Sequence, residues 1–126
     1  MSKIVASTFN TEEVEGQIKV FNAQGSASNA LKDVQPGEVL DVTDVLVYED
    51  KIDSYGQDSE GLVTVLFTAD ENGEQKLFGS VSAPISEGAK KLIDFMEATG
   101  RSSVQVSINK STSKQGRDFL TLVIVG

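Results

Sequence analysis

A mainly β fold is predicted by three features of this sequence. Three strand-like runs, one helix-like run and two further strand-like runs follow in that order between Val39 and Val125. Asn72-Gly73 stands where a hairpin turn is needed, and Val104, Val106 and Ile108 alternate with polar residues. Strand-strand-strand-helix-strand-strand is the order of the OB-fold, a five-stranded Greek-key barrel. The expected architecture is that barrel, with one helix between strands 3 and 4 and an extra β-hairpin at the N-terminus.

Lys3 to Phe9 and Gln17 to Phe21 mix apolar and β-branched residues with polar ones, and read as the extra hairpin joined around Glu15-Gly16. Ala23 to Ala30 is small, polar and glycine-containing, which suits a loop, and Pro36-Gly37 signals a turn. Residues 1–35 are therefore read as a hairpin and loop extension, and residues 38–126 as the barrel core of a single domain. Val39 to Tyr48 is apolar but interrupted by Asp41 and Asp44, as suits a long bent strand. The acidic segment Glu49 to Glu60 reads as an exposed loop with Tyr55-Gly56 near its tip.

Gly61 to Ala69 and Lys76 to Ser82 form the central hairpin. A two-residue turn at Asn72-Gly73 places Val65 opposite Ser80 and Phe67 opposite Phe78, on a face shared with Lys76 and Ser82. That blend of rings and polar groups suits a partly exposed surface, leaving Leu66 and Leu77 to line the barrel; a β-bulge would shift this register. Ile85, Ala89, Leu92, Ile93 and Met96 form one helical stripe, and Gly100 follows as a terminating glycine. The stripe is expected to plug one end of the barrel. In the last strand Leu120, Leu122 and Ile124 share a face, after the acid-free loop Ser111 to Arg117.

Composition removes whole classes of chemistry. With no cysteine and no histidine there are no disulfides, no thiolate or imidazole metal sites and no Ser-His-Asp triad. No apolar run reaches the ~20 residues of a membrane helix, and Met1-Ser2-Lys3-Ile4 lacks a secretory signal's apolar stretch. No cofactor, metal, membrane or small-molecule substrate is expected. The net charge of −8 argues against gripping nucleic acid chiefly by phosphate neutralisation, but the charge is unevenly spread. From Glu38 to Glu74 there are eleven acids and one base, Lys51, whereas Arg101, Lys110, Lys114 and Arg117 face only Asp118 near the C-terminus.

The OB order draws attention to strands 2 and 3 and to the loops between strands 1 and 2 and between strands 4 and 5. Tyr48 and Tyr55 fall at and in the first loop, Phe67 and Phe78 on the central hairpin, and Lys110, Lys114 and Arg117 in or beside the last loop, with Lys51 and Lys76 as further cations. Aromatic rings stack on bases of any identity at about 1–3 kcal/mol each while cations track the backbone, a combination that favours single strands without sequence preference.

The chain resembles the single-stranded-DNA-binding proteins of small tailed phages that replicate linear genomes by protein priming. Residues Ile4 to Phe9, Glu15 to Gln24, Tyr48, Tyr55-Gly56 and Thr112 to Gly116 carry the likeness, and the run Val20-Phe21-Asn22-Ala23-Gln24 is its most specific part. The resemblance implies stacking on DNA by the residues at Tyr48, Tyr55 and Phe78, with phenylalanine at the last in place of tyrosine. It also implies a role in coating displaced strands during replication, in the host cytoplasm. Single-stranded DNA is the expected partner, with self-association as an option. An acidic binder of this kind should neutralise only about 2–3 phosphates, for a log-log salt slope of roughly −1.4 to −2.1.

Two other readings compete. A structural or assembly β-barrel protein of a virion would bury both hairpin phenylalanines and bind no nucleic acid. A nuclease would use Asp50, Asp53 and Asp58 to hold a metal, but these acids show no ligand spacing, so no enzyme is expected.

Overall fold

A strand of 16 residues, β3 (Val39–Ser54), organises the molecule. The computed structural model describes residues 3–26, 29–30, 34–35, 37–54, 57–70, 72–81, 83–112, 114, 116 and 118–125. In chain order the elements are β1 (Lys3–Ser7), α1 (Val14–Ser26), β2 (Asn29–Ala30), β3, β4 (Gln57–Ala69), β5 (Gln75–Ser80), α2 (Ala83–Thr99), β6 (Val104–Thr112) and β7 (Asp118–Ile124). The sheet order is β2, β5, β4, β3, β6, β7, with β1 paired to β3 beside that path. Along one edge β3 pairs with β4 from Asp41 opposite Ala69 to Ser54 opposite Gln57. The other edge is shared: residues 39–42 pair with β6, and Leu46 to Glu49 pair with β1. All these pairings are antiparallel.

A bulge between Val42 and Asp44 sets which side chains share a face. The extra residue turns Val45 and Val47 to the same side as Leu40 and Val42, while Leu46 and Tyr48 point to the other. Consequently Val45, Leu46, Val47 and Tyr48 are all buried, because both faces of the sheet are covered here. On one face α2 lays down Ile85, Ala89, Leu92, Ile93 and Met96 against Val45, Leu66, Val106 and Ile108. Each of the larger α2 side chains contributes about 1.5–3 kcal/mol relative to exposure. Gly100, at φ 67°, closes the helix by donating its N–H to the Met96 carbonyl at 2.9 Å. On the opposite face Ala23 and Val20 of α1, with Phe9 and Ile4, cover Leu46, Tyr48, Val65 and Phe67.

The N-terminal hairpin is corrected. Residues 3–7 are a strand, but Gln17 to Phe21 lie inside α1. Gly16, Lys19, Val20 and Ala23 recur at helical spacing, and this is the helix's less exposed side. Its start is specified locally: the Asn10 side-chain oxygen accepts from the Glu12 N–H at 2.9 Å, and Asn10 Nδ2 donates to Glu13 Oε1 at 3.4 Å. Gln17 N–H then donates to the Glu13 carbonyl at 2.9 Å. An Asn followed three residues later by Glu, just before an apolar run, is a helix-start signature.

The central hairpin is corrected by one residue. Phe67 lies opposite Leu77 and Leu66 opposite Phe78. The turn has three residues between Asp70 and Glu74 instead of two. Asp70 Oδ1 accepts from the N–H groups of Asn72 (2.9 Å) and Glu74 (2.8 Å), and Gly73 takes φ 81°. A shift of one residue exchanges the faces, so Phe67 joins the core under α1 and Phe78 goes to the α2 side.

The closed barrel and the first loop also need correction. Among the described residues the sheet does not close: β2 pairs in parallel with β5 at Phe78 and Gly79, on the edge that closure would need, and β7 ends the other side. Glu49 to Glu60 is mostly not loop, since β3 runs on to Ser54 and β4 begins at Gln57. No helix among the described residues is long and apolar enough to cross a membrane.

Candidate nucleic-acid interface

The residues singled out from the sequence are distributed over three regions. Tyr48 lies inside β3 with Ile4 of β1 opposite on one side and Val63 of β4 on the other, and is 5% exposed. Phe67 is 1% exposed, with Phe9 edge-on at 5.7 Å between ring centroids. Both rings face α1, which corrects the expectation of a ring at the loop entrance and a partly exposed ring on the hairpin. Tyr55 and Arg117 lie outside the described residues. Lys51 has its backbone on β3 opposite Glu60, and its side chain, like those of Asp50, Asp53 and Asp58, is outside the described ones.

Phe78 and Lys76 are brought together. Phe78 is half-buried and Lys76 exposed in a groove of about 400 Å³, also lined by Glu38, Leu40, Asp41, Thr68, Asp70 and Gln105. One cation there meets three acids, so the groove can offer a ring edge to a base but repels a phosphate. Lys110 and Lys114 are exposed at the β6–β7 end. Because β6 runs antiparallel to the start of β3, that end lies beyond Val39. Some fifteen residues of β3, on the order of 50 Å along an extended strand, separate that end from Ser54.

Helix α1 lies over the middle of that span, on Leu46 and Tyr48. A polar clamp holds it there. Lys19 Nζ meets Asp44 Oδ2 at 2.9 Å and lies 5.1 Å from the Phe9 ring centroid. Thr8 Oγ1 donates to Asp44 Oδ1 at 2.8 Å and accepts from the Val45 N–H at 3.0 Å. A large ring exposed outside the predicted set is Phe21, 76% exposed on the outer side of α1. Its signal was Val14, Ile18 and Phe21 at i, i+4 and i+7, a stripe visible only once the segment is read as a helix. Among the described residues no group of three acidic side chains could hold a metal ion.

The family of phage single-stranded DNA-binding proteins matches residues 1–125. The chain belongs to that family. The single-stranded DNA-binding protein of Bacillus phage PZA is 34% identical over 121 residues, covering 96% of this chain and 94% of the relative. That of Bacillus phage phi29 is 33% identical over the same shares. That of Bacillus phage B103 is 28% identical over 126 residues, spanning both chains fully. No solved structure gives a significant match. Within this phage family the chain therefore presents an acidic protein whose exposed cations and rings lie at separate places around a long central strand.

Proposed function

We propose that this protein binds single-stranded DNA without sequence preference and coats the strands displaced during phage replication in the host cytoplasm, as a non-enzymatic protein. The match to the phage single-stranded DNA-binding family along residues 1–125 carries the reading. Stacking supplies most of the affinity, because the net charge of −8 leaves few cations for phosphate. Phe78 offers a partly exposed ring, Lys110 and Lys114 are free to approach a backbone, and Lys51, Tyr55, Lys76 and Arg117 complete the candidate set, whereas Tyr48 and Phe67 lie sealed beneath α1. The antiparallel return of β6 to β3 and the order of β3 to β7 with α2 support an OB-type unit over residues 38–126 of one domain, opened where β2 takes the edge of β5.

The structural-protein alternative calls for both hairpin phenylalanines to be buried. Phe67 is, and Phe78 is not. Titration with oligo(dT) at two salt concentrations decides the matter, following tyrosine emission, which reports Tyr48 and Tyr55 in this tryptophan-free chain. Binding with a log-log salt slope of roughly −1.4 to −2.1 is expected. Absence of binding at low salt would end the proposal.

A further inference from the structure

We infer that the outer side of α1 is part of the DNA path and that Phe21 is a base-stacking residue. The inference rests on the single-strand-binding reading above and adds a ring that the sequence placed on a strand. Among the described aromatic side chains Phe21 alone is largely exposed, while Tyr48 and Phe67, on the sheet face beneath α1, are sealed. A DNA strand crossing this face meets the surface of α1 in place of the sheet. There it finds Phe21 with Ile18, 53% exposed, one turn before it.

The charge around this ring does not repel a polyanion. Residues 16–26 contain no acid in a chain with nineteen of them, and Lys19, paired with Asp44, keeps its side chain 39% exposed. Glu12 and Glu13 precede α1, and Glu15 lies in its first turn, six residues before Phe21. The Phe78 groove is the reverse case, with three acids about one lysine. Exposed Asn22 follows Phe21 directly, and exposed Gln17, one turn before it and with its amide nitrogen on the Glu12 carbonyl at 3.4 Å, keeps its amide oxygen for a base edge. A second copy of the chain is the other conceivable occupant, but three side chains on one helix fall far short of the ~1,200 Å² that a stable interface buries.

The test uses the full chain and three variants, Phe21→Trp, Phe21→Ala and Phe21→Leu. Each should unfold as the parent does, since the side chain is exposed. With an oligo(dT) of about 12 nucleotides, within the span of one OB-type site, Phe21→Trp emission should be quenched. Phe21→Ala should bind a fluorescein-labelled oligonucleotide roughly 5- to 150-fold more weakly, and Phe21→Leu should be similarly impaired although it keeps apolar bulk. If the parent binds but the tryptophan is not quenched and Phe21→Ala binds equally well, this inference is overturned and the binding function stands. Effects confined to long oligonucleotides, with a protein-dependent rise in sedimentation, assign the stripe to a neighbouring copy and likewise overturn it. If the parent itself does not bind, both readings fall.

Discussion

Lys19 of α1 and Asp44 of β3 meet at 2.9 Å, and through this pair the N-terminal helix is fastened beside the bulge that sets the faces of the sheet. Asp44 receives a second hydrogen bond from Thr8, whose hydroxyl also accepts from the Val45 N–H next to the bulge. One carboxylate thus ties the helix, the turn before it and the strand.

Asp44→Ala should therefore cost more than Lys19→Ala. Removing Asp44 loses two charge-assisted contacts in a half-buried place, about 1–2 kcal/mol, whereas Lys19→Ala removes one partly exposed pair and should cost less than about 1 kcal/mol. Urea unfolding of both variants measures the difference. The Lys19 effect should shrink further in high salt, as the exposed end of the pair is screened.

The same substitution at two helical glycines should have opposite signs. A Cβ on Gly16 would overlap the Asn10 carbonyl oxygen, forcing the start of α1 apart, so Gly16→Ala should destabilise by about 1–3 kcal/mol. A Cβ on Gly88 would sit 3.4 Å from the Leu122 side chain, an ordinary contact, so Gly88→Ala should gain about 0.5–1 kcal/mol of helix propensity. Thermal melts of the pair should move in opposite directions.

Thr64 is fully buried between Val47 and Ser80, and its hydroxyl has no hydrogen-bond partner among the described residues. Thr64→Val keeps the shape and removes the stranded polar atom. A stabilisation of about 1 kcal/mol is expected in urea unfolding.

Phe67 and Phe78 separate folding from binding. Phe67→Ala opens the core under α1 and should cost about 3–5 kcal/mol of stability. Phe78→Ala, at a half-exposed ring, should leave the protein folded and weaken oligo(dT) binding by about 1–3 kcal/mol. Unfolding curves and titrations on the same preparations distinguish the two losses, and unchanged affinity in folded Phe78→Ala would remove that ring from the site.

How legible the protein was in its sequence differs element by element. The α2 stripe from Ile85 to Met96, its stop at Gly100 and the alternation Val104, Val106, Ile108 were all readable, because each is a local pattern that one buried face imposes. The segment Gln17 to Phe21 was not, because its apolar residues fit period 2 as well as period 3.6 over so short a run. Asn10 with Glu13 was the available tie-breaker. Of the candidate site, Phe78 and the exposed lysines kept a surface place, while Tyr48 and Phe67 did not. The unbroken apolar run Val45 to Tyr48 is what a strand covered on both faces looks like, and the second cover is α1.

The sequence by itself determined the mainly β character, the existence of the central hairpin and its turn, and the amphipathic helix α2, since these follow from propensity and periodicity within a few residues. Tertiary structure alone decided which rings face solvent. A single Asp70 side chain lengthened the turn by one residue and put Phe67 and Phe78 on opposite faces, a bulge at β3 set its inward residues, and burial against Leu46 and Tyr48 holds the helix of residues 14–26. Strand register has period 2, so one residue of slip, invisible in composition, inverts every side chain beyond it.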